Sequence, residues 1–194
     1  MHTSFLFDGK NVDILRASRP LLGKVLIATG SSAEIYEGGD SIFRLSTDGA
    51  SHAFVIQAGK QGLAVPRCLN DWGKIMPSDE YPDMDFYWLA EFEKLDEVTS
   101  DPDAFEALKQ WVDAVLKHAD VHENLVTDRD ELDRIHAAIR TLPVTERLAP
   151  VVATMDFICQ QCVQHNADLD FNESNFMLRP ATGEILVTDP AHGL

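Results

Sequence analysis

The chain has 194 residues, 45% hydrophobic and 25% charged, which suits one domain or one domain made of two small lobes. Sixteen basic residues against 32 acidic ones give a formal charge of −16, which argues against direct binding to nucleic acid or to an anionic membrane. No run of about 18 apolar residues is present. The opening Met1-His-Thr-Ser-Phe-Leu-Phe-Asp lacks the basic start and long apolar stretch of a secretory signal. An odd three cysteines argue against a disulfide scaffold and for a reducing, cytoplasmic compartment.

The first half reads as strands. Lys24-Val-Leu-Ile-Ala-Thr29 is an apolar run leading into Gly30-Ser31-Ser32. Glu34 to Glu37 follows, then the turn Gly38-Gly39-Asp40 and the strand Ser41 to Ser46, which together make an antiparallel meander. Gly49 to Lys60 reads as a helix, and Phe86-Tyr-Trp-Leu-Ala-Glu-Phe92 as a strand by residue type. Asp79 to Glu106 holds eleven acids and one base, Lys94, which reads as a solvated acidic surface.

The second half turns helical. Asp101-Pro102 is a helix start, and Phe105, Leu108, Trp111, Val112, Val115 and Leu116 follow at helical spacing. A second helix is expected from about Asp128 to Leu142, stopped by Pro143, and a third from about Pro150 to Gln164. Cys159 and Cys162 fall on the third helix among apolar neighbours and read as buried thiols. His118 and His122, with Asp120 and Glu123, read as a polar helix end. Trp72, Trp88 and Trp111 are most simply core residues. The expected fold class is α+β, with a strand-rich part over residues 1–95 and a helical part over 96–194.

The last 25 residues carry the chemistry. Asp170 is followed five residues later by Asn175. An apolar strand, a turn at Ala181-Thr182-Gly183 and a second strand from Ile185 to Val187 then lead to Asp189. A hairpin of this kind can aim two carboxylates and an amide at one point. Those are hard oxygen ligands for a magnesium ion beside a nucleotide, with a carboxylate left to orient a hydroxyl.

This order of Asp, Asn, strand, turn, strand and Asp resembles the catalytic half of the protein-kinase superfamily. The resemblance implies a bilobal fold with an antiparallel-sheet N-lobe and a minimal helical C-lobe, using ATP and Mg²⁺. By position, Asp170 takes the role of the residue accepting the substrate hydroxyl proton, and Asn175 and Asp189 those of the metal ligands. Gly30, Ser31 and Ser32 stand where such proteins place a glycine-rich loop over the phosphates. Arg44 stands in place of the phosphate-contacting Lys, from which it differs in length and planarity. Glu93 to Leu95 stand at the hinge, where backbone groups meet the adenine.

Several features depart from that pattern. No acid lies between Gly49 and Gly62 to pair with Arg44, and His52 and Gln57 are the plausible substitutes for it. Leu169 precedes Asp170 where kinases usually have Arg, and Pro190 follows Asp189 where they have Phe. The Thr188-Asp-Pro190 ending, with Asp48 to Phe54 and Gly62 to Pro66, is similar to the early protein kinase of certain lytic phages. That similarity implies a host-cytoplasmic setting if the chain is phage-encoded. Five residues follow Asp189, so the implied core is minimal, without an activation loop or peptide-docking segment.

Two functions follow as expectations. One is a small phosphotransferase that moves the ATP γ-phosphate to protein Ser/Thr. The alternative is a pseudokinase or inhibitory module that binds a partner protein, possibly a basic one, through its acidic surface.

Overall fold

The computed structural model describes residues 7–193; most of the segment read for a signal pattern, residues 1–6, lies outside the described residues, as does 194. The elements in order are α1 (Lys10–Arg16), β1 (Leu26–Thr29), β2 (Ala33–Glu37), β3 (Ser41–Ser46), α2 (Gly49–Lys60), β4 (Cys68–Pro77), β5 (Phe86–Glu93), β6 (Asp96–Glu97), α3 (Pro102–Ala119), β7 (Leu125–Val126), α4 (Arg129–Thr141), α5 (Ala149–His165), β8 (Asp168–Asp170), β9 (Phe176–Arg179), β10 (Glu184–Val187) and β11 (Ala191–His192). The fold class is α+β, an antiparallel sheet followed by helices. No helix among the described residues is long and apolar enough to cross a membrane.

Two compact units divide the chain. The first runs to His52 and resumes over Arg67–Lys94; the second holds Ala53–Pro66 and the chain from Leu95 onward. A single cut near residue 95 therefore leaves out one exchange, because Ala53–Pro66 packs within the second unit. There the Ala64 N–H donates to Thr154 Oγ1 at 2.9 Å, the Val187 N–H donates to the Ala64 carbonyl at 2.9 Å, and the Phe54 ring lies 5.7 Å from His165.

The first unit is built on a five-stranded antiparallel sheet in the order β1-β2-β3-β5-β4. Residues alternate between its faces. Tyr36, Phe43, Leu45, Tyr87 and Leu89 point to one face and are buried there with Phe7, Val12 and Leu21. On the other face Arg44 stands between Ile35 of β2 and Ala90 of β5, its directly opposed partners.

The short helix α1 lies on the core face, and its N-terminus is capped from a distant part of the chain. Asp79 Oδ1 accepts the Asn11 N–H at 2.8 Å, and its Oδ2 accepts the Val12 N–H at 2.9 Å and the Tyr87 hydroxyl at 3.1 Å. Burial pushes the Asp79 carboxyl upward, but those hydrogen bonds outweigh it and hold the group below its usual range. Residue 9 must be glycine, since a Cβ there would lie 2.3 Å from the Asp79 carboxyl carbon. At the helix's other end Arg16 bridges Glu34 and Tyr36 on β2.

In the second unit, α3 starts where its sequence signals it. Asp101 Oδ1 accepts the Ala104 N–H at 3.0 Å, Pro102 opens the first turn, and Asp120 ends the helix in the left-handed conformation. Asp128 caps α4 in the same way. Helices α4 and α5 bury Ile135, Ile139, Met155 and Ile158, and His136 Nε2 joins Asp156 Oδ1 at 2.7 Å between them. Two small sheets, β10-β9-β6 and β11-β8-β7, complete the unit.

The differences from the sequence expectations are local. The first strand begins at Leu26, and all four of its residues are exposed. Helix α1 and strand β4 had no clear pattern. Strand β4 carries three register irregularities against β5 and pairs on only one side, which leaves Trp72 40% exposed and outside the core. Cys159 and Cys162 are fully buried.

Replacing Asp79 by Ala removes two caps and the Tyr87 partner together. The expected loss is about 1–2 kcal/mol in urea unfolding, with faster hydrogen exchange at Asn11 and Val12 before any global change. Gly9→Ala, which forces the same carboxylate aside, is expected to reproduce that pattern.

Candidate functional site

In the second unit, backbone bonds draw three separate stretches of chain together. Strand β8 ends at Asp170, pairing with β7 through Leu125 and with β11 through Ala191 and His192. Arg129 holds the approach to β8, donating to the Ala167 carbonyl at 2.8 Å and lying 3.8 Å from Asp168. Just past the strand, the Phe171 N–H donates to the Asn124 carbonyl at 2.8 Å and the Phe171 ring packs edge-on against Trp111 at 5.5 Å. The Asn172 side chain then accepts the Ser174 N–H, and a short 3-10 turn, Glu173–Asn175, follows.

Asn175 is buried, and its Nδ2 donates to the Asp170 carbonyl at 3.1 Å. The amide is thereby fixed, and its Oδ1 is turned away from that carbonyl. Thr188 donates twice to the Asn175 carbonyl, from N–H at 2.8 Å and from Oγ1 at 2.9 Å, and the Asp170 N–H donates to the Pro190 carbonyl at 3.0 Å. Asp170, Asn175 and Asp189 are thus tied into one polar cluster by bonds on either side of Asp189. Asp170 and Asp189 are both half-buried.

The hairpin between Asn175 and Asp189 forms as expected, β9 pairing with β10 in unbroken register from Phe176↔Val187 to Arg179↔Glu184. The side chains of Asp170, Asn175 and Asp189 carry two carboxylates and an amide oxygen, hard oxygens of the kind Mg²⁺ prefers. Among the described residues no group of three or more His, Cys, Asp or Glu is gathered for a metal. His122 and Asp120 stand 4.0 Å apart, both 90% exposed, as a solvated helix end.

The first unit holds the other sequence candidates. Gly30, Ser31 and Ser32 form a tight turn from β1 to β2, closed by the Gly30 N–H on the Ala33 carbonyl at 2.8 Å. Ser32 is buried, and its carbonyl accepts the Thr47 N–H at 3.0 Å and Ser46 Oγ at 2.9 Å. This turn is therefore fastened to the end of β3.

Two residues further on, Glu34 points to the core face and joins Arg16 and Tyr36. Burial and the hydrogen bond that its hydroxyl donates to Glu34 push the Tyr36 phenol up to about 12 against the opposing charge of Arg16. Burial opposes the charge on Arg16, but the hydrogen bonds to Glu34 and Tyr36 outweigh it and raise the guanidinium further.

Glu93 is occupied at both ends. Its N–H donates to the Arg67 carbonyl at 3.1 Å and its Oε1 accepts the Arg67 N–H at 2.8 Å. Leu95, in the second unit, is half-buried.

Arg44 is only 8% exposed, and His52 of α2 is 3% exposed. His52 Nε2 lies 3.0 Å from Asp71 Oδ1 on β4, and its ring stacks at 5.0 Å on Trp88. Burial lowers the imidazole's proton affinity, the Arg44 charge lowers it further, and Asp71 only partly restores it. The other polar candidate, Gln57, is exposed. Sequence reasoning missed Asp71, which lies in the irregular strand, and Thr188, whose part is read only from its two bonds.

No family model matches the chain, and no curated protein matches it. Among solved structures, the crystal structure of choline kinase LicA from Streptococcus pneumoniae aligns over 94% of this chain and 68% of its own, at 9% identity and a TM-score of 0.34. A functional reading therefore rests on the residues of this chain.

The buried imidazole sets a pH dependence. His52 binds a proton less readily in the folded chain than in the unfolded one, where its midpoint is about 6.5. Its contribution is complete above about pH 6.5 and declines as pH falls toward the lower folded value, because the unfolded chain takes up more protons in that window. Unfolding midpoints of the native chain and of His52→Gln, compared from pH 7.5 to 5, are expected to diverge at high pH and converge as the pH drops.

Proposed function

We propose that this chain is a small protein-kinase-like phosphotransferase, moving the ATP γ-phosphate to a Ser or Thr hydroxyl of a protein. The observation that carries the reading is the Asn175 side-chain bond to the Asp170 carbonyl, flanked by the two Thr188 bonds to the Asn175 carbonyl. It is the order and fixity that phosphoryl transfer asks of its polar residues, because that reaction is catalysed chiefly by positioning and charge.

In this reading Asp170 accepts the proton of the attacking hydroxyl, while Asn175 Oδ1 and the Asp189 carboxylate hold Mg²⁺. When bound, the metal neutralises charge on the phosphates. Arg44 contacts phosphate, and its planar fork gives two parallel bonds where a Lys gives a point charge. The turn at Gly30, Ser31 and Ser32 is assigned to the phosphates and the backbone at Glu93 to Leu95 to the adenine.

A second reading is favoured by one observation: α2 turns no carboxylate toward Arg44, since no acid lies between Gly49 and Gly62. The chain would then be a pseudokinase or inhibitory module, binding a basic partner protein through the acidic stretch from Asp79 to Glu106.

Calorimetry of ATP with and without Mg²⁺ tests the first reading. Metal-dependent binding is expected in the native chain, weakened at least about tenfold, or about 1.4 kcal/mol, in Asp189→Ala. Asp170→Asn is expected to keep that binding while phosphorylation of protein substrates falls about 100-fold or more. No binding at millimolar ATP overturns the phosphotransferase and leaves the second reading.

A further inference from the structure

We infer that the Thr188 hydroxyl is the positioning group for the metal ligands Asn175 and Asp189. The inference rests on the metal role given to those two residues under the proposed function. It starts from the end of the β9–β10 ladder, which runs in register from Arg179↔Glu184 to Phe176↔Val187. One rung further, a regular antiparallel pair would join Asn175 and Thr188 by reciprocal backbone bonds. Half of that rung forms. The Thr188 N–H donates to the Asn175 carbonyl at 2.8 Å, but the Asn175 N–H turns back to the Asn172 carbonyl at 3.0 Å and closes the 3-10 turn.

Thr188 makes up the lost constraint with its side chain, Oγ1 donating to the same Asn175 carbonyl at 2.9 Å. That carbonyl already has a backbone partner, so the second bond is not required to satisfy it. What the second bond adds is direction: two donors from one residue, on the two lone pairs of one oxygen, oppose rotation of one segment against the other. A β-branched side chain is also stiff at χ1, which keeps the hydroxyl aimed.

The residue after this tie is Asp189. On its far side Pro190 has no N–H to continue a ladder, and the Pro190 carbonyl accepts the Asp170 N–H at 3.0 Å. Asp189 is therefore held between a residue bonded to Asn175 and a residue bonded to Asp170. Mg²⁺ demands near-ideal octahedral geometry, so a slight turn of Thr188 against Asn175 would misplace a ligand. Thr188 acts through Asn175 and Asp189 and is a positioning residue.

The test is calorimetry of Mn²⁺ alone, and of ATP over a series of Mg²⁺ concentrations, on the native chain, Thr188→Val and Thr188→Ser. Valine keeps the β-branch and the backbone bond and loses the hydroxyl. Thr188→Val is expected to weaken Mn²⁺ about tenfold and to raise the Mg²⁺ needed for half-maximal ATP binding by a similar factor, as partners that orient metal ligands do. Thr188→Ser, which keeps the donor, is expected to restore most of that affinity.

Native-like metal dependence in folded Thr188→Val, whatever its urea midpoint, overturns the inference and leaves the phosphotransferase reading standing. So does an equal loss in Thr188→Ser, which would assign the effect to side-chain shape. A native chain that takes up neither Mn²⁺ nor Mg-dependent ATP overturns both. If Thr188→Val does not fold, Thr188→Ala set against Thr188→Ser decides the matter, because the two differ by one oxygen.

Discussion

One side-chain hydrogen bond organises the polar end of the second unit. The Asn175 amide, buried at the end of its turn, spends Nδ2 on the Asp170 carbonyl, while its own backbone carbonyl takes both donors of Thr188. That bond and the two from Thr188 join the end of β8, the turn at Asn175 and the end of β10. Removing the side chain would take one donor from the half-buried Asp170 carbonyl, a cost of about 1 kcal/mol, the usual net worth of one such bond. The cluster is therefore fixed by local bonds, with the β9–β10 hairpin setting the distance along the chain from Asn175 to Asp189.

In the first unit the constraint is the unequal use of the two sheet faces. Helix α1 is too short to be stable alone. It is held by Asp79 at one end and by the Arg16, Glu34 and Tyr36 contacts at the other. That anchoring seals the face carrying Phe43, Leu45 and Tyr87. The opposite face is left to Arg44, Asp71, His52 and Trp88, polar or amphipathic groups that would be out of place in an apolar core. Glu34 and Arg44 lie on adjacent strands yet face opposite ways, because Glu34 is directly opposite Leu45 and Arg44 opposite Ile35.

Much of this was legible in the sequence. The caps Asp101 and Asp128, the helical spacing from Leu108 to Val115 and the hairpin around Gly183 are short-range signals, and the structure follows each of them. What escaped depends on distant partners. Helix α1 has no acceptor of its own at Gly9, because its cap arrives from Asp79. Strand β4 carries no clear strand pattern, since Asn70, Asp71 and Gly73 sit in a bulged edge that only pairing with β5 makes extended. The spacing of Asp170, Asn175 and Asp189 marked the candidate site, but Thr188 and Asp71 have no motif. Their parts follow from register and from bonds across the chain.

The charge balance bears on which form of a nucleotide this chain would accept. A net charge of −16 opposes any anion at long range. At physiological salt that field is screened beyond about 8 Å, so affinity has to come from short-range contacts. Of the cationic side chains assigned to phosphate there is one, Arg44, already buried. A guanidinium in that setting keeps its charge at any working pH, whereas a buried Lys could lose it. The same negative field that repels free nucleotide favours a divalent cation at the carboxylates assigned to the proposed site, Asp170 and Asp189. Under the proposed function, metal-bound nucleotide is then the form that such a surface admits, and the acidity of the chain becomes a reason for metal dependence rather than an obstacle to binding.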